Sequence, residues 1–362
     1  MNSRYLASLN AKLAQTHEGS QRNYLLADRA AYLARLGDIG SSRRELELLR
    51  TAKEFSGDGR LTALVNFADG LCHYYQDMSG ESRDRLARSY ALAIATENDD
   101  VASRAAAWLA LIAYGKYDFS LMSRHLTASA ECRVRDPVSN ARNALTLALT
   151  THLANRFDLA RQWYQRAHHS AAEVEDDAMI SAILHNMSSI LVTNIRNSIL
   201  GPIDTSDEPS LALAGISSTT NFDGILGSTS QPVFTPLVKA QLLSLEGRHQ
   251  DALSLYESNM KEMHIPASNG WQAWLTADWA WCLLKTGDVE GARTRFDFAS
   301  GMLQDRDHID DRAAALKRMS MGYLELGNEE RSVEFGARAD DYWQSFRGLQ
   351  AEMLEASTAH SP

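Results

Sequence analysis

The chain contains 362 residues, of which 44% are hydrophobic and 23% are charged, a composition typical of a folded domain or an extended repeat array. Its 46 acidic residues outnumber its 36 lysines and arginines, which gives a formal net charge of −10. Because a general nucleic-acid binder needs a basic surplus to offset phosphate charge, this balance predicts no nucleic-acid partner, although it leaves room for a local basic patch. The seven prolines are few and alanine and leucine are abundant, which favours α-helix.

The cysteines and the apolar segments predict where the protein resides. Cys72, Cys132 and Cys282 lie far apart and form no CxxC pair, which is typical of buried thiols in a reducing compartment. The first residues, MNSRYLASLNAKLAQ, lack the apolar core and the small-residue cleavage site of a secretory signal. The most apolar segment, 178–200, contains Arg196, and a charged side chain at the centre of a bilayer costs about 2.5–3.5 kcal/mol. We therefore expect a cytoplasmic protein without a membrane partner.

Four segments of the chain share one pattern of turn, small and aromatic residues. They are LANRFDLARQWYQRAH, LEGRHQDALSLYESNM, KTGDVEGARTRFDFAS and ELGNEERSVEFGARAD, which place Asn155, Gly247, Gly287 and Gly327 at a turn. Glycine and asparagine adopt the left-handed backbone at low cost, so each turn is expected to end one helix before a second begins. A small residue follows where the two helices approach closely, and aromatic and alanine side chains share the same helix face. The small residues predicted at these contacts are Ala160, Ala252 and Ala292.

Residues 198–235 interrupt this pattern with a dense mixture of proline, glycine, serine and threonine. A short helix over 210–216 is expected within an otherwise irregular loop, and long loops of this kind are often functional. The loop either covers apolar surface or acts as a lid that contacts a partner, and the sequence leaves both alternatives open. Near the end of the chain, an amphipathic segment over 329–355 predicts a capping helix, followed by a frayed tail over 356–362.

The order of turn, alanine, aromatic and alanine residues resembles the tetratricopeptide repeat. The match is good around Asn155, Gly247 and Gly287, and it is fair around Gly327, where Ser332 replaces the first alanine. The glycines are 40 residues apart, whereas the repeat of that family is about 34 residues long. The spacing is therefore similar to that of the longer-helix repeats found in bacterial regulatory proteins.

This resemblance extends over roughly residues 20–345 and implies an all-α fold. We expect a right-handed superhelical solenoid of about seven helix hairpins, forming a single domain over 1–362 that ends in the capping helix. In such arrays each hairpin contacts its neighbours, and the concave groove binds a protein or a peptide. The groove residues do not reproduce the Lys/Asn/Arg pattern with which chaperone-binding members of the family hold a C-terminal carboxylate, so that specific function is not implied.

The segment WQAWLTADWAWCLL contains four of the seven tryptophans in the chain. Trp274 and Trp281 differ by about 20° around a helix, whereas Trp279 lies on nearly the opposite side. We therefore expect Trp279 in the core and Trp274 and Trp281 in the concave groove. Packing of Trp274 and Trp281 against the preceding repeat is the alternative, and the sequence does not decide between them. The other predicted groove residues are Arg142, His152, His185, Phe234, Gln241, Lys317 and Met321.

Motifs for catalysis are absent from the sequence. The chain contains no GxxxxGK(S/T), GxGxxG, HExxH or GxSxG, so phosphate-cradle, zinc-protease and nucleophile-elbow chemistry is not predicted. His169 and Glu173 lie one turn apart, but two ligands on an exposed helix are more typical of a solvated face than of a metal site. We expect no catalytic residue, no cofactor and no metal.

The predicted function is a non-enzymatic scaffold that binds a protein or a peptide in the concave groove. The alternative is a ligand- or peptide-responsive regulatory module of a bacterial signalling or transcription system, whose output domain is supplied by a partner. The sequence specifies neither the partner nor the oligomeric state.

Overall fold

The computed structural model shows an array of α-helices. Among the residues that it describes there are 17 helices and no β-strand. The described residues are all of the chain except 1, 18, 53–56, 78–79, 135, 206, 229–233, 261–270, 306 and 361–362.

After the first helix, successive helices pack together as eight pairs, α2 with α3 through to α16 with α17. This is one pair more than the sequence predicts, and the predicted all-α solenoid is confirmed. The helices are α1 (Arg4–Gln15), α2 (Ser20–Arg35), α3 (Ile39–Thr51), α4 (Gly59–Asp77), α5 (Gly80–Ala95), α6 (Asp99–Tyr114), α7 (Phe119–Ala130), α8 (Pro137–Leu153), α9 (Phe157–Glu173), α10 (Asp177–Leu200), α11 (Pro209–Leu226), α12 (Phe234–Leu245), α13 (His249–Asn259), α14 (Gln272–Lys285), α15 (Val289–Met302), α16 (Ile309–Glu325) and α17 (Glu329–Thr358).

The turns inside the helix pairs form as predicted. The backbone φ angle is 61° at Asn155, 80° at Gly247, 98° at Gly287 and 73° at Gly327, all in the left-handed region. Glycine adopts this conformation easily because it lacks a Cβ atom, and asparagine tolerates it better than most residues. The carboxylate of Asp288 then caps α15 by accepting a hydrogen bond of 2.9 Å from a backbone N–H in its first turn.

The small residues predicted between paired helices are buried in the core. Ala160, Ala252 and Ala292 are wholly inaccessible to solvent. Phe296, on the same helix as Ala292, packs so closely on α16 that a Cβ atom on Gly322 would lie 2.3 Å from its ring. One cluster of buried side chains extends from α2 to α17, and side chains of α11 form a smaller cluster with α10 and α12 beside it.

Ala292→Leu is expected to lower the free energy of unfolding by roughly 1–3 kcal/mol, because three additional carbon atoms must enter a closed contact. Thermal denaturation followed by circular dichroism measures this effect. Ala337→Leu, on the exposed face of α17, is the matched control and should leave the midpoint unchanged. An unchanged midpoint for Ala292→Leu would show that the two helices do not meet at this residue.

The sequence prediction of an irregular interruption over 198–235 is wrong for most of that region. The helix α11 extends over Pro209–Leu226, far beyond the short helix predicted over 210–216. It packs along α10 and completes a helix pair, which accounts for the additional pair in the array. The non-helical residues described in this region are 201–205, 207–208 and 227–228, and residues 206 and 229–233 lie outside the described part of the chain.

Each residue that suggested a loop is accommodated within α11. Pro209 occupies the first turn of the helix, where its missing N–H donor is not needed. Gly215 lies where a Cβ atom would come within 2.6 Å of the Ser188 hydroxyl, so glycine permits the close approach of α10 and α11. Four consecutive hydroxyl groups donate to backbone carbonyls one turn earlier, which satisfies them within the helix. These residues are Ser217, Ser218, Thr219 and Thr220.

The predicted frayed tail over 356–362 is ordered as far as residue 360. The helix α17 includes Ser357, which is buried. The imidazole of His360 lies 3.1 Å from the hydroxyl of Ser123 on α7. The tail is held in place because α17, the predicted capping helix, packs against α7 and α8 as well as against α16. Residues 361–362 are outside the described residues.

Contacts between distant parts of the chain close the array on itself. The helix α10 packs against α16, and α17 packs against α8. The Gln350 side chain donates a hydrogen bond of 2.9 Å to the carbonyl of Leu153, although 197 positions separate the two residues. On the other side, Arg4 forms a salt bridge of 3.0 Å with Asp177 at the start of α10. Consequently the contacts of a helix pair are not limited to the neighbouring pairs. The first helices of the pairs surround a central space.

Helix α10 is the apolar segment that the sequence assigns to the interior of a folded domain. It is the one described helix long and apolar enough to cross a membrane by length and composition. In the structure it packs against α8, α9, α11, α12 and α16. Arg196 on this helix is 1% exposed and paired with carboxylates of α16. This packing favours the prediction of a buried core helix.

Candidate functional site

The central space is a cavity of about 480 Å³, and we call it the central cavity. The residues that line it are spread along the chain from Tyr74 on α4 to Asp311 on α16. Most of the lining comes from the first helices of successive pairs, namely α4, α6, α8, α10, α12, α14 and α16. The cavity is therefore a product of the closed array and not of any single repeat.

One wall of the central cavity is aromatic and comes from α12 and α14. The Trp274 indole donates a hydrogen bond of 2.8 Å from Nε1 to Oε1 of Gln241, which fixes the ring against α12. The rings of Phe234 and Trp271 meet edge to face, with centroids 5.2 Å apart. The Arg196 guanidinium lies 5.1 Å from the centroid of the Trp274 ring. This wall offers apolar ring faces with one charged group beside them.

A second aromatic wall comes from α4 and α6. The ring centroids of Tyr74 and Trp108 lie 5.0 Å apart, and those of Tyr75 and Trp108 lie 5.9 Å apart, both edge to face. Tyr74, Tyr75 and the nearby Tyr114 line the central cavity. Burial raises the pKa of Tyr74 to about 12, so its hydroxyl stays protonated and can donate a hydrogen bond at neutral pH.

An ion-pair network forms where α10 meets α16. Arg196 pairs with Asp310 at 2.6 Å and also with Asp311. The Tyr117 hydroxyl donates a hydrogen bond of 2.8 Å to Asp310. Burial opposes the charge of Arg196, but the carboxylates of Asp311 and Asp310 raise its pKa, so the guanidinium remains charged. The imidazole of His308 stacks on the Tyr117 ring at 4.2 Å and completes this side of the cavity.

This network does not fit a metal ion. Ligand atoms of His308, Asp310 and Asp311 lie within 4.8 Å of one another, which is close enough for shared coordination. However, Arg196 already occupies both carboxylates, and His308 Nε2 lies 2.8 Å from the carbonyl of Gly115. A metal cation here would have to displace a buried guanidinium that is also positively charged, so we assign the carboxylates to Arg196.

Arg142 on α8 also lines the central cavity, and its environment differs from that of Arg196. The side chain is 2% exposed, and its guanidinium lies 4.0 Å from the centroid of the Trp108 ring. Its Nε and Nη2 atoms have no hydrogen-bond partner among the described residues. Burial lowers the pKa of Arg142, and the attraction of Asp176, which is already paired with Arg35, offsets the loss of hydration only in part. Arg142 therefore places a positive charge without a directly bonded carboxylate beside the cavity.

His185 on α10 contributes a neutral polar group to the cavity. Its Nδ1 lies 3.1 Å from the hydroxyl of Thr235, and burial lowers its pKa to about 4. The imidazole is therefore uncharged at neutral pH and can act as a hydrogen-bond donor or acceptor. Its low basicity makes it a poor general base.

The structure separates the predicted groove residues into two groups. Five of them line the central cavity: Trp274, Phe234, Gln241, Arg142 and His185. Four of them do not: Trp281, His152, Lys317 and Met321.

The prediction that His152 lines the groove is wrong, because its imidazole lies in the core between Tyr164 and Asp207 and does not line the cavity. Nδ1 lies 3.2 Å from the Tyr164 hydroxyl, and Nε2 lies 3.2 Å from Asp207. Trp281 lies elsewhere because seven residues along a helix add about 10.5 Å of rise to Trp274, even though both share one helix face. Its ring is buried between Lys285 and Arg318, and the guanidinium and the ammonium nitrogen are both 5.0 Å from the ring centroid. Lys317 and Met321 are half-buried on α16 outside the cavity lining.

Sequence reasoning did not identify Arg196 or its partners as part of a site. The segment DRDHIDDR, which contains Asp310 and Asp311, has the composition of a solvent-exposed loop between repeats. One signal was available: an arginine within an apolar helix requires a buried carboxylate partner. Tyr74 and Tyr117 carried no comparable signal, because the repeat pattern is degenerate in that part of the chain.

Comparisons with known proteins bear on the fold. No protein-family model matches the chain, and no curated protein matches it with significance. Among solved structures, the chain is similar to a Rap protein in its crystal structure with competence and sporulation factor. The TM-score is 0.56 at 14% sequence identity, and the match covers 95% of this chain and 92% of the Rap chain. The chain therefore has the fold of a tetratricopeptide-like helical-repeat protein, as Rap protein does.

Proposed function

We propose that the protein binds a short peptide in the central cavity. The observation that carries this proposal is the lining itself: two aromatic walls and buried charged groups from many helices face one space of about 480 Å³. This volume lies within the range of about 300–1,000 Å³ that is usual for ligand sites. Asn186, Ser189, Thr193 and Gln241 add amide and hydroxyl groups that can bond to a peptide backbone.

The character of the polar groups supports binding without catalysis. Asp310 and Asp311 are engaged by Arg196, and His185 is a weak base because burial lowers its pKa to about 4. These groups can orient a ligand, but they offer no free general base. The structurally similar Rap protein was crystallised with competence and sporulation factor, and that complex supports the proposal of a bound ligand for this fold. Cys72, Cys132 and Cys282 are free thiols, in keeping with the proposed cytoplasmic location.

Ser189→Trp is expected to lower peptide affinity by about tenfold or more, which corresponds to roughly 1.4 kcal/mol. Ser189 is half-buried and lines the central cavity, so an indole at this position fills space that the ligand needs. Short synthetic peptides with free termini are selected from a randomised library on the wild-type protein. Their affinities for both proteins are then measured by isothermal titration calorimetry.

Ser198→Trp is the matched control for this experiment. Ser198 lies on the same helix and is also half-buried, but it does not line the cavity. Peptide binding should survive this substitution. Failure of the wild-type protein to retain any peptide, or equal affinity in the Ser189→Trp and wild-type proteins, would refute binding in the central cavity.

A second candidate function, a peptide-responsive regulatory module, is favoured by the way in which the cavity is closed. The hydrogen bonds from Tyr117 to Asp310 and from His308 to Gly115 join walls that are 193 positions apart. A ligand between these walls would alter the closure, whereas a passive scaffold would keep its shape. Small-angle scattering with and without a selected peptide distinguishes the two, because only a responsive module changes its radius of gyration.

A further inference from the structure

We infer that the ligand of the central cavity carries a carboxylate that binds Arg142. This inference rests on the proposed function and specifies the chemistry of its ligand. It starts from the contrast between Arg142 and the other arginines in the interior.

Every other buried arginine in the described part of the chain has a carboxylate partner. The partners lie at 2.8 Å for Arg35 with Asp176, 2.8 Å for Arg318 with Asp278, 3.1 Å for Arg312 with Asp305 and 2.6 Å for Arg196 with Asp310. Arg142 is 2% exposed, yet it forms no salt bridge with any described residue. An isolated buried charge is costly, and proteins normally neutralise it with a partner. Arg142 lines the central cavity instead, where a ligand could supply that partner.

The unsatisfied atoms of the Arg142 guanidinium indicate which kind of group would complete its hydrogen bonds. One face is covered by the Trp108 ring at 4.0 Å, so hydrogen bonds can form only at the edge of the guanidinium. The unsatisfied atoms, Nε and Nη2, form one edge of the planar group. Two parallel N–H donors on such an edge match the two oxygens of a carboxylate.

The charge of the cavity favours a carboxylate over a phosphate. Arg142 has no directly bonded carboxylate, and its one positive charge is balanced by one carboxylate on the ligand. A phosphate group carries about −1.5 to −2 charges at neutral pH, and the excess would face Asp310 and Asp311 in the same cavity. Arg196 is not available to bind the ligand carboxylate, because Asp310 and Asp311 already form salt bridges with it.

The first test uses N-acetyl-phenylalanine, which has one aromatic ring, one amide and one carboxylate, and its uncharged counterpart N-acetyl-phenylalaninamide. Binding of each is measured by calorimetry on the wild-type, Arg142→Met and Arg142→Lys proteins. The wild type should prefer the acid by about 10- to 100-fold, as for a buried charge-assisted hydrogen bond. Arg142→Met should remove the preference, and Arg142→Lys should retain part of it because it keeps the charge.

The Nε–H resonance of Arg142 gives a second measurement that does not require the methionine variant to fold. It is assigned by its absence from the Arg142→Lys spectrum, and it should shift on addition of the acid and not of the amide. Equal binding of both probes to the wild type, no binding of the acid at millimolar concentration, or a preference that persists in Arg142→Met would each overturn the inference.

A second arm identifies the source of the carboxylate in a peptide. Selected peptides are compared in three forms: with a free C-terminus and no acidic side chain, with an amidated C-terminus, and amidated with one aspartate. If binding of the first form depends on Arg142, the C-terminal carboxylate is the group that binds Arg142. If binding of the third form depends on Arg142, that group is an acidic side chain. If peptides bind equally well to Arg142→Met, peptide binding stands and this inference falls. If the acid probe binds through Arg142 but no peptide is retained, the inference stands and the proposed peptide function falls.

Discussion

Arg196→Met is expected to lower the free energy of unfolding by about 3–5 kcal/mol, because it leaves buried carboxylates without their partner. Asp310 and Asp311 are both buried at the start of α16, and Arg196 is their salt-bridge partner across the closure of the array. The loss therefore combines the desolvation of two acids with a weaker contact between α10 and α16. Urea denaturation followed by circular dichroism measures the change.

Arg142→Met is the control for this prediction, since it makes the same substitution in the same cavity. Arg142 has no carboxylate partner, so its removal strands no charge and should leave stability unchanged or slightly raised. Adding Asp310→Asn and Asp311→Asn to Arg196→Met should recover part of the lost stability. Equal losses from Arg142→Met and Arg196→Met would contradict the distinction between a paired and an unpaired arginine.

Trp279→Ala is expected to cost about 3–5 kcal/mol of stability, as truncation of a buried tryptophan does. Its side chain is 6% exposed, with Tyr256 stacked at 6.5 Å and the Arg295 guanidinium 3.3 Å from the ring centroid. Trp274→Ala should cost a comparable amount, because Trp274 is 2% exposed and donates a hydrogen bond to Gln241. Chemical denaturation of both variants tests this expectation.

The two tryptophan variants should differ in ligand binding. Trp274 lines the central cavity and Trp279 does not, so only Trp274→Ala should weaken peptide affinity at a temperature where both proteins are folded. Trp274→Phe keeps an aromatic ring and removes the donor to Gln241, which separates packing from hydrogen bonding. Identical affinities for the two alanine variants would remove Trp274 from the ligand site.

The repeat architecture can be predicted from sequence because local chemistry imposes it. Gly247 and Gly287 adopt a left-handed backbone that few other residues accept, and Ala252 and Ala292 occupy contacts with no room for a larger side chain. Each of these requirements involves only a few neighbouring residues. The full length of α11 is not predicted, because Gly215 permits a close contact between two helices there and does not form a turn.

The central cavity cannot be predicted in the same way, because it depends on closure over long distances in the chain. Tyr117 meets Asp310 across 193 positions, and no local periodicity specifies that meeting. Arg142 and Arg196 both lie on the first helix of a pair, and the sequence alone does not show that one is paired and the other is not. The helical phase of a residue gives its direction around the helix axis but not its position relative to the cavity along that axis. Trp274 therefore lines the cavity, whereas Trp281, two turns further along, does not.

Closure of the array also affects the order in which contacts form during synthesis. A ribosome adds about 5–20 residues per second, so the 193 positions between Tyr117 and Asp310 correspond to about 10–40 s. Helix α6 is complete at the start of that interval and α8 soon afterwards, whereas synthesis of α16, their counterpart across the cavity, begins only at its end. The nascent chain thus presents an uncovered inner surface until α16 and α17 emerge, and the slow, non-local contacts form after the local ones. A fold built from local repeats therefore has a final assembly step that no single repeat can carry out alone.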